Sequence, residues 1–335
     1  MTVYITLLDY KTLGGIERVA KNLHQALMST KINDISIIDL DTLRALFGEE
    51  KSEFTLLLKF SKTLGENDIV ISMYDRLSIE FSVCKALGHK FKLVAAQHAD
   101  YFANRIHTRI LRRLTYSYVD SIVALTKFDS DLYKKWHKNV VVIPNPILSF
   151  PETVPSFMDR KELVISAGRL NKIKQFDHFI RLADSMRDFC ELEFHLYGSG
   201  EEKANLTELI ESFGMSPKII LKGATNELEK IMLSSKFIVV TSLRESFSMV
   251  VLEAMAAGCI PISYNCPTGP RELISDGVNG YLVEPDNLEE IKRLISLLLE
   301  NDDIYNKIQS HARVTAKRYQ ARNINKMWEK LLNEK

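Results

Sequence analysis

Two glutamates, Glu245 and Glu253, stand at the junction of a β-rich run (Phe237, Ile238, Val239, Val240) and a helical pattern (Met249, Val250, Leu252, Met255, Ala256) that stops at Gly258. A strand, a short loop and a helix leave the first backbone N–H groups of the helix without intrahelical acceptors. With the helix dipole adding about half a positive charge, the turn at Ser246, Phe247 and Ser248 favours an anion such as phosphate. Carboxylates repel phosphate, so Glu245 in the loop and Glu253 within the helix read as acceptors for neutral hydroxyls. Two sugar rings flanking a diphosphate supply such hydroxyls, which points to a nucleotide sugar. Taken alone, two glutamates at this spacing equally well cap and solvate a helix.

Further candidates follow other β-rich runs. Gly168-Arg169-Leu170-Asn171-Lys172-Ile173-Lys174 joins a strand (163–167) to a helix, and from that turn Arg169 and Lys174 can both reach the carboxyl edge of a sheet and clamp a diphosphate. Gly14-Gly15 opens an amphipathic helix (Ile16, Val19, Ala20, Leu23, Leu27) after the run 3–8, where missing side chains let a ligand approach the backbone; the pair lacks the pattern of a dinucleotide or P-loop site. His98 directly follows the run 91–96, a place that suits a ligand contact or an ordinary loop hydrogen bond. Asp39-Leu40-Asp41 and Asp129-Ser130-Asp131 have the spacing of a metal-binding pair. The first is too short a pattern to carry weight and the second begins a helix, so no metal is assigned.

The elements that must position these groups alternate. Strand candidates at 35–40, 68–72, 91–96, 121–125 and 140–143 are separated mostly by helical stretches, and a second series runs through 163–167, 192–197, 218–221, 237–241 and 260–263. Such alternation predicts parallel sheets covered by helices, with ligands beyond the carboxyl ends of the strands. Pro144-Asn145-Pro146 and the proline-containing stretch 149–160 break the pattern and read as an interdomain linker. The expected division is 1–145 and 146–319, with 303–335 read as one terminal helix. The stretch 104–118 predicts a helix whose apolar stripe (Ile106, Ile110, Leu111, Leu114) packs on the sheet and whose arginines Arg105, Arg109, Arg112 and Arg113 face outward. Such arginines are worth about 1 kcal/mol each near an anionic leaflet.

Composition excludes several classes. The chain has 335 residues, enough for two domains, and is 46% hydrophobic and 26% charged, as ordinary globular proteins are. With 44 Lys and Arg against 43 Asp and Glu it carries no general attraction for nucleic acid. No apolar run approaches the length of a membrane span, and Asp9 interrupts the first run too early for a signal peptide, so a cytoplasmic protein is expected. Cys84, Cys190, Cys259 and Cys266 are scattered, which suits reduced and mostly buried thiols.

Glu245-Ser-Phe-Ser-Met-Val-Val-Leu-Glu253, continuing as Ala-Met-Ala-Ala-Gly and followed by Thr268-Gly269-Pro270-Arg271-Glu272, resembles the retaining glycosyltransferases of family 4. The resemblance spans the chain, strongly in the second half and weakly in the first. It implies the GT-B fold, two Rossmann-like domains facing a cleft. It further implies that Gly14 and Gly15 face the donor diphosphate, that His98 contacts the donor sugar, and that Arg169 and Lys174 hold the diphosphate. Gly198 would lie in a turn beside the nucleoside, Glu253 would bind the ribose and Glu245 the transferred sugar. The glycine that commonly follows the lysine is here Gln175. By the same resemblance the last segment, about 320–335, crosses back to the first domain with Trp328 and Leu331. The expected activity is metal-independent transfer of a hexose or N-acetylhexosamine, with retention, from a UDP-sugar to a glycan acceptor, lipid-linked and at the inner face of the cytoplasmic membrane. A GT-B phosphorylase or hydrolase, or an inactive nucleotide-sugar-binding subunit, are the alternatives.

Overall fold

The computed structural model describes residues 1–11, 15–28, 34–147, 149–214 and 218–333. The chain divides into two compact units, 1–148 with 321–335, and 149–320.

In the first unit six parallel strands, β1 (Val3–Thr6), β2 (Ile35–Ile38), β3 (Ile69–Ser72), β4 (Lys92–Gln97), β5 (Ser121–Ala124) and β6 (Val140–Val142), form one sheet in the order β2-β1-β3-β4-β5-β6. The strands are short and rich in Ile and Val because helices cover both faces, so neither set of alternating side chains meets water. The helix Ala321–Asn333 returns to this unit, packs on the helix Gly15–Met28 and buries Ile324, Trp328 and Leu332; Leu332, rather than the neighbouring Leu331, is the buried leucine. The terminal helical stretch is therefore two helices, Asp302–Lys317 and Ala321–Asn333, split at 318–320.

The second unit repeats the plan with β7 (Lys161–Ala167), β8 (Glu193–Tyr197), β9 (Ile219–Gly223), β10 (Ser235–Val240), β11 (Ile260–Tyr264) and β12 (Tyr281–Val283), again all parallel, in the order β12-β11-β10-β7-β8-β9. Numbered within the unit this is 3-2-1-4-5-6 read from β9. The order reverses between β7 and β10, which places a crevice beyond the carboxyl ends of those two strands. Two six-stranded parallel sheets with flanking helices make the GT-B architecture.

The helix Met249–Ala257 is apolar nearly all round, with Val251, Leu252, Ala254, Met255, Ala256 and Ala257 buried, as befits a helix enclosed on several sides. Its C-terminus ends on Gly258 in the left-handed region, φ 70°, where a glycine is favoured. The last carbonyls are claimed by side chains: Arg313 donates to Ala256 O at 3.0 Å, Arg160 to Ala257 O at 2.7 Å and Gln309 to Gly258 O at 3.2 Å. Arg160, buried, also donates to Met232 O at 3.0 Å and Ser235 O at 2.7 Å. The stretch read as a loose linker is thereby pinned to the second unit, with Phe157 in its core.

The basic helix runs from Ile106 to Thr115, and its orientation is opposite to the expectation. Arg112 is its buried residue, at 1% exposure, whereas Ile106, Ile110, Leu111 and Leu114 are exposed. The reason is a polar network in the interior: Arg112 donates to Asp75 Oδ2 at 3.1 Å, Tyr133 OH at 2.8 Å and Tyr101 O at 3.0 Å. Tyr116 OH donates to Asp75 Oδ1 at 2.7 Å, and Gln97 is bonded to both Tyr133 and Tyr116. A guanidinium so satisfied can stay out of water; it turns the apolar stripe outward.

Replacing Arg160 with Met removes the side-chain donor from the buried carbonyls of Met232, Ser235 and Ala257, so the unfolding transition of the second unit in urea should weaken by about 3 kcal/mol. An unchanged midpoint would show that these carbonyls are satisfied in some other way.

Candidate functional site

The carboxyl ends of β7, β8 and β10 carry most of the residues singled out in the second half of the chain. Arg169 and Lys174 lie in the loop after β7, Gly198 follows β8, and Glu245, Ser246, Phe247 and Ser248 lie between β10 and the helix Met249–Ala257, on which Glu253 sits. The two loops after β7 and β10 are tied together. Leu243 N–H donates to Ile173 O at 2.8 Å, and the Thr241 hydroxyl donates to Lys174 O and Gln175 O, both at 2.9 Å.

At the centre is an ion pair. Lys174 Nζ donates to Glu245 Oε1 at 2.6 Å, and Ser242 Oγ donates to the same oxygen at 2.8 Å; both charged side chains are largely shielded. A charge-assisted bond of this length, partly removed from water, fixes the lysine far better than a surface pair would. The lysine expected at the phosphates and the glutamate expected at the sugar are thus one unit, in which moving either charge disturbs the other.

The backbone around this pair is strained at two residues. Gln175 (φ 44°, ψ 47°) and Ser248 (φ 64°, ψ 68°) adopt left-handed conformations, two of the three such non-glycine residues among those described. Each costs of order 1 kcal/mol or more and persists because neighbours dictate it. The position where Gln175 replaces a glycine is therefore one that glycine would favour. Ser248 has a buried hydroxyl with no partner, at the start of the helix whose first amides lack intrahelical acceptors. An anion seated there would meet the hydroxyl and the helix terminus. The Arg169 side chain is exposed. Phe247 differs from its neighbours: its ring is buried against Tyr319, centroids 5.6 Å apart, so only its backbone is available to a ligand.

Glycines bring the two loops into contact. A Cβ on Gly198 would lie 2.0 Å from Gly168 O, so only glycine lets the turn after β8 lie against the turn after β7. On the other side, the Thr268 hydroxyl donates to Glu245 O, and a Cβ on Gly269 (φ 72°) would lie 2.6 Å from Glu245 Cβ. Burial, with the nearby Glu245 charge second, pushes the Cys266 thiol up to about 12 and keeps it protonated beside this loop. Ser242 and Thr241 were not singled out from the sequence; their only signal there was a position at the end of the β10 run.

In the first unit Gly15 opens the helix after β1, while Gly14 lies outside the described residues. His98 follows β4 and lines a cavity of about 10 Å³ with Val19, Asn145, Asn325 and Trp328 among its neighbours. Both ring nitrogens are buried without partners, and burial pushes the imidazole down from 6.5 to about 4, so it is neutral at pH 7. The aspartates have other work: Asp39 caps the helix Leu40–Phe47, accepting from Thr42 N–H at 2.8 Å, and Asp41 pairs with Lys11 and Arg44. Asp129 accepts from Tyr101 N–H at 3.0 Å. No group of His, Cys, Asp or Glu suited to a metal occurs among the described residues.

Residues 153–315 match the family described as glycosyl transferases group 1. The chain is 24% identical over 348 residues to an uncharacterized glycosyltransferase of Haemophilus influenzae, covering 97% of this chain and 98% of that protein. It is 25% identical over 311 residues, 90% of this chain and 86% of its relative, to the GalNAc-alpha-(1->4)-GalNAc-alpha-(1->3)-diNAcBac-PP-undecaprenol alpha-1,4-N-acetyl-D-galactosaminyltransferase of Campylobacter jejuni. Among solved structures, Anabaena HepE in complex with UDP and glucose aligns with a TM-score of 0.80 at 16% identity, covering 100% of both chains. Residues 153–315 thus resemble the glycosyl transferases group 1, and the fold is that of the GT-B structures.

The His98 shift has a defined pH signature. The unfolded chain takes up a proton below about 6.5 and the folded one only near 4, so stability is complete above 6.5 and falls as pH drops towards 4. The expected loss between pH 7 and pH 5 is about 2 kcal/mol in the first unit's urea transition. His98→Gln should remove that part of the slope, and equal slopes in both proteins would contradict the assignment.

Proposed function

We propose that the protein is a retaining glycosyltransferase of the family 4 type that moves a hexose or N-acetylhexosamine from a UDP-sugar to a glycan acceptor, lipid-linked, in bacterial cell-surface glycan synthesis. The observation that carries this reading is the convergence, at the switch point of the second sheet, of Lys174 and its partner Glu245, the orphaned Ser248 hydroxyl and a helix N-terminus. The UDP and glucose in the similar HepE structure and the PP-undecaprenol in the name of the Campylobacter relative support the donor and acceptor classes.

In this mechanism the diphosphate sits against the first turn of the helix Met249–Ala257. As the glycosidic bond to the β-phosphate breaks, negative charge grows on the departing oxygen. Lys174, held in place by Glu245 and Ser242, and the exposed Arg169 neutralise that charge, while the helix amides and Ser248 Oγ hydrogen-bond to the phosphate oxygens. Gly198, with no side chain, leaves room for the nucleoside, and Glu253 accepts from the ribose. Glu245 binds the transferred sugar and stabilises positive charge on the ring. His98, neutral, is suited to hydrogen-bond a sugar hydroxyl without adding charge. The acceptor attacks the face from which UDP leaves, and the departing phosphate takes its proton. Side chains and amides supply the positive charge in this scheme, so no divalent ion enters any step.

Release of UDP from UDP-sugars in the presence of a crude lipid acceptor, with the anomeric configuration of the product read by NMR, tests the proposal. Arg169→Ala and Lys174→Ala should each lower turnover by roughly two to three orders of magnitude, and EDTA should leave it intact. An inverted product, or activity abolished by EDTA and restored by manganese, would overturn the scheme.

A further inference from the structure

In the first unit the turn after β4 and the returning helix Ala321–Asn333 meet at the small cavity of about 10 Å³. Its walls are mostly aliphatic, with Val19 and Leu23 from the helix Gly15–Met28, Ile324 from the returning helix and Ile143 after β6. Two polar side chains in the lining stand out, because each has buried atoms with no partner among the described residues: both ring nitrogens of His98, and Oδ1 of Asn325. Buried polar groups left in this way are rare in proteins and are commonly served by an internal water. The Asn325 amide is oriented by its other end, since Nδ2 donates to Ala26 O at 3.5 Å, and the oxygen is the end left over. Gln97, which lines the same cavity, is engaged elsewhere: its amide nitrogen donates to Tyr116 OH at 3.0 Å, and its oxygen accepts from Tyr133 OH at 2.8 Å.

We propose that one buried water in this cavity links His98 to Asn325, and that Asn325 is thereby a positioning residue that sets which ring nitrogen of His98 carries the proton. The size fits, since about 10 Å³ is the room that one water needs and is far too small for a sugar. The hydrogen-bond inventory fits as well. Asn325 Oδ1 can only accept, so the water gives it one hydrogen, and a lone pair of the water then takes the imidazole N–H. Burial keeps the imidazole neutral, with one N–H and one lone pair. Fixing the proton on the nitrogen toward the cavity therefore leaves the lone pair on the other nitrogen. This last consequence rests on the reading that His98 meets a sugar hydroxyl: the free lone pair would accept that hydroxyl's hydrogen. The returning helix then does more than cover the sheet, because it carries the group that orders His98.

A high-resolution crystal structure of the full chain should show one water within about 3.2 Å of both a His98 ring nitrogen and Asn325 Oδ1. Imidazole nitrogen shifts in the NMR spectrum of the histidine-labelled chain, with His98→Gln to assign the signal, should show a single neutral tautomer for His98. Asn325→Leu removes the acceptor, and a mixed or reversed tautomer is expected. Asn325→Asp keeps an acceptor oxygen but loses the donor to Ala26 O, and it should keep the wild-type tautomer, which separates the bridge from general damage to helix packing. Calorimetry with UDP and with UDP-glucose or UDP-N-acetylglucosamine, whichever the wild type binds tighter, reads the consequence. Asn325→Leu should weaken the UDP-sugar about tenfold and leave UDP unchanged. A dry cavity, a water that misses Asn325, or the wild-type tautomer retained in Asn325→Leu overturns the proposal. A changed tautomer with unchanged UDP-sugar affinity supports the bridge and instead removes His98 from the sugar contact.

Discussion

The second unit is arranged around the two ends of one buried helix, Met249–Ala257. A helix enclosed by protein cannot leave its terminal groups to water, so each end needs partners. At the C-terminus the solution is complete: Arg160, Arg313 and Gln309 take the carbonyls of Ala257, Ala256 and Gly258. At the N-terminus it is incomplete, since Ser248 brings a buried hydroxyl with no partner. An anion at the N-terminus would satisfy what the fold leaves open there.

The same logic explains why strain collects beside it. The Lys174–Glu245 pair requires the loops after β7 and β10 to come close, and the left-handed Gln175 and Ser248 are the residues that let both loops turn inward. Thr241, Ser242 and Thr268 add hydrogen bonds that hold those turns. Pre-organisation of this kind lowers the reorganisation needed when charge develops on a leaving group.

The strand series was largely legible in the sequence, because strands buried on both faces carry continuous Ile and Val runs whose ends are marked by loop residues. β12 was not, since Tyr281–Val283 is three residues long, follows the turn glycines Gly277 and Gly280, and is a strand only through pairing with β11. Periodicity grouped Ile106, Ile110 and Leu114 on one face but said nothing of which face turns inward; that is decided by Asp75, 37 residues from Arg112. Arg169, Lys174, Gly198 and the 245–248 turn were legible because strand–loop–helix order puts such residues at one sheet edge. Their hydrogen-bonded supports were not, since Ser and Thr in loops are common and their partners are set by the fold. Thr268, for example, reaches back 23 residues to Glu245.

The central claim is that the helix terminus and Lys174 together bind the diphosphate. Calorimetry with uridine, UMP and UDP on the wild type and on Lys174→Met measures this directly. UDP should bind at least about a hundredfold tighter than uridine, and Lys174→Met should cost UDP about tenfold while leaving uridine unchanged. Uridine binding as tightly as UDP, or a loss in the variant that is equal for both ligands, would contradict the account.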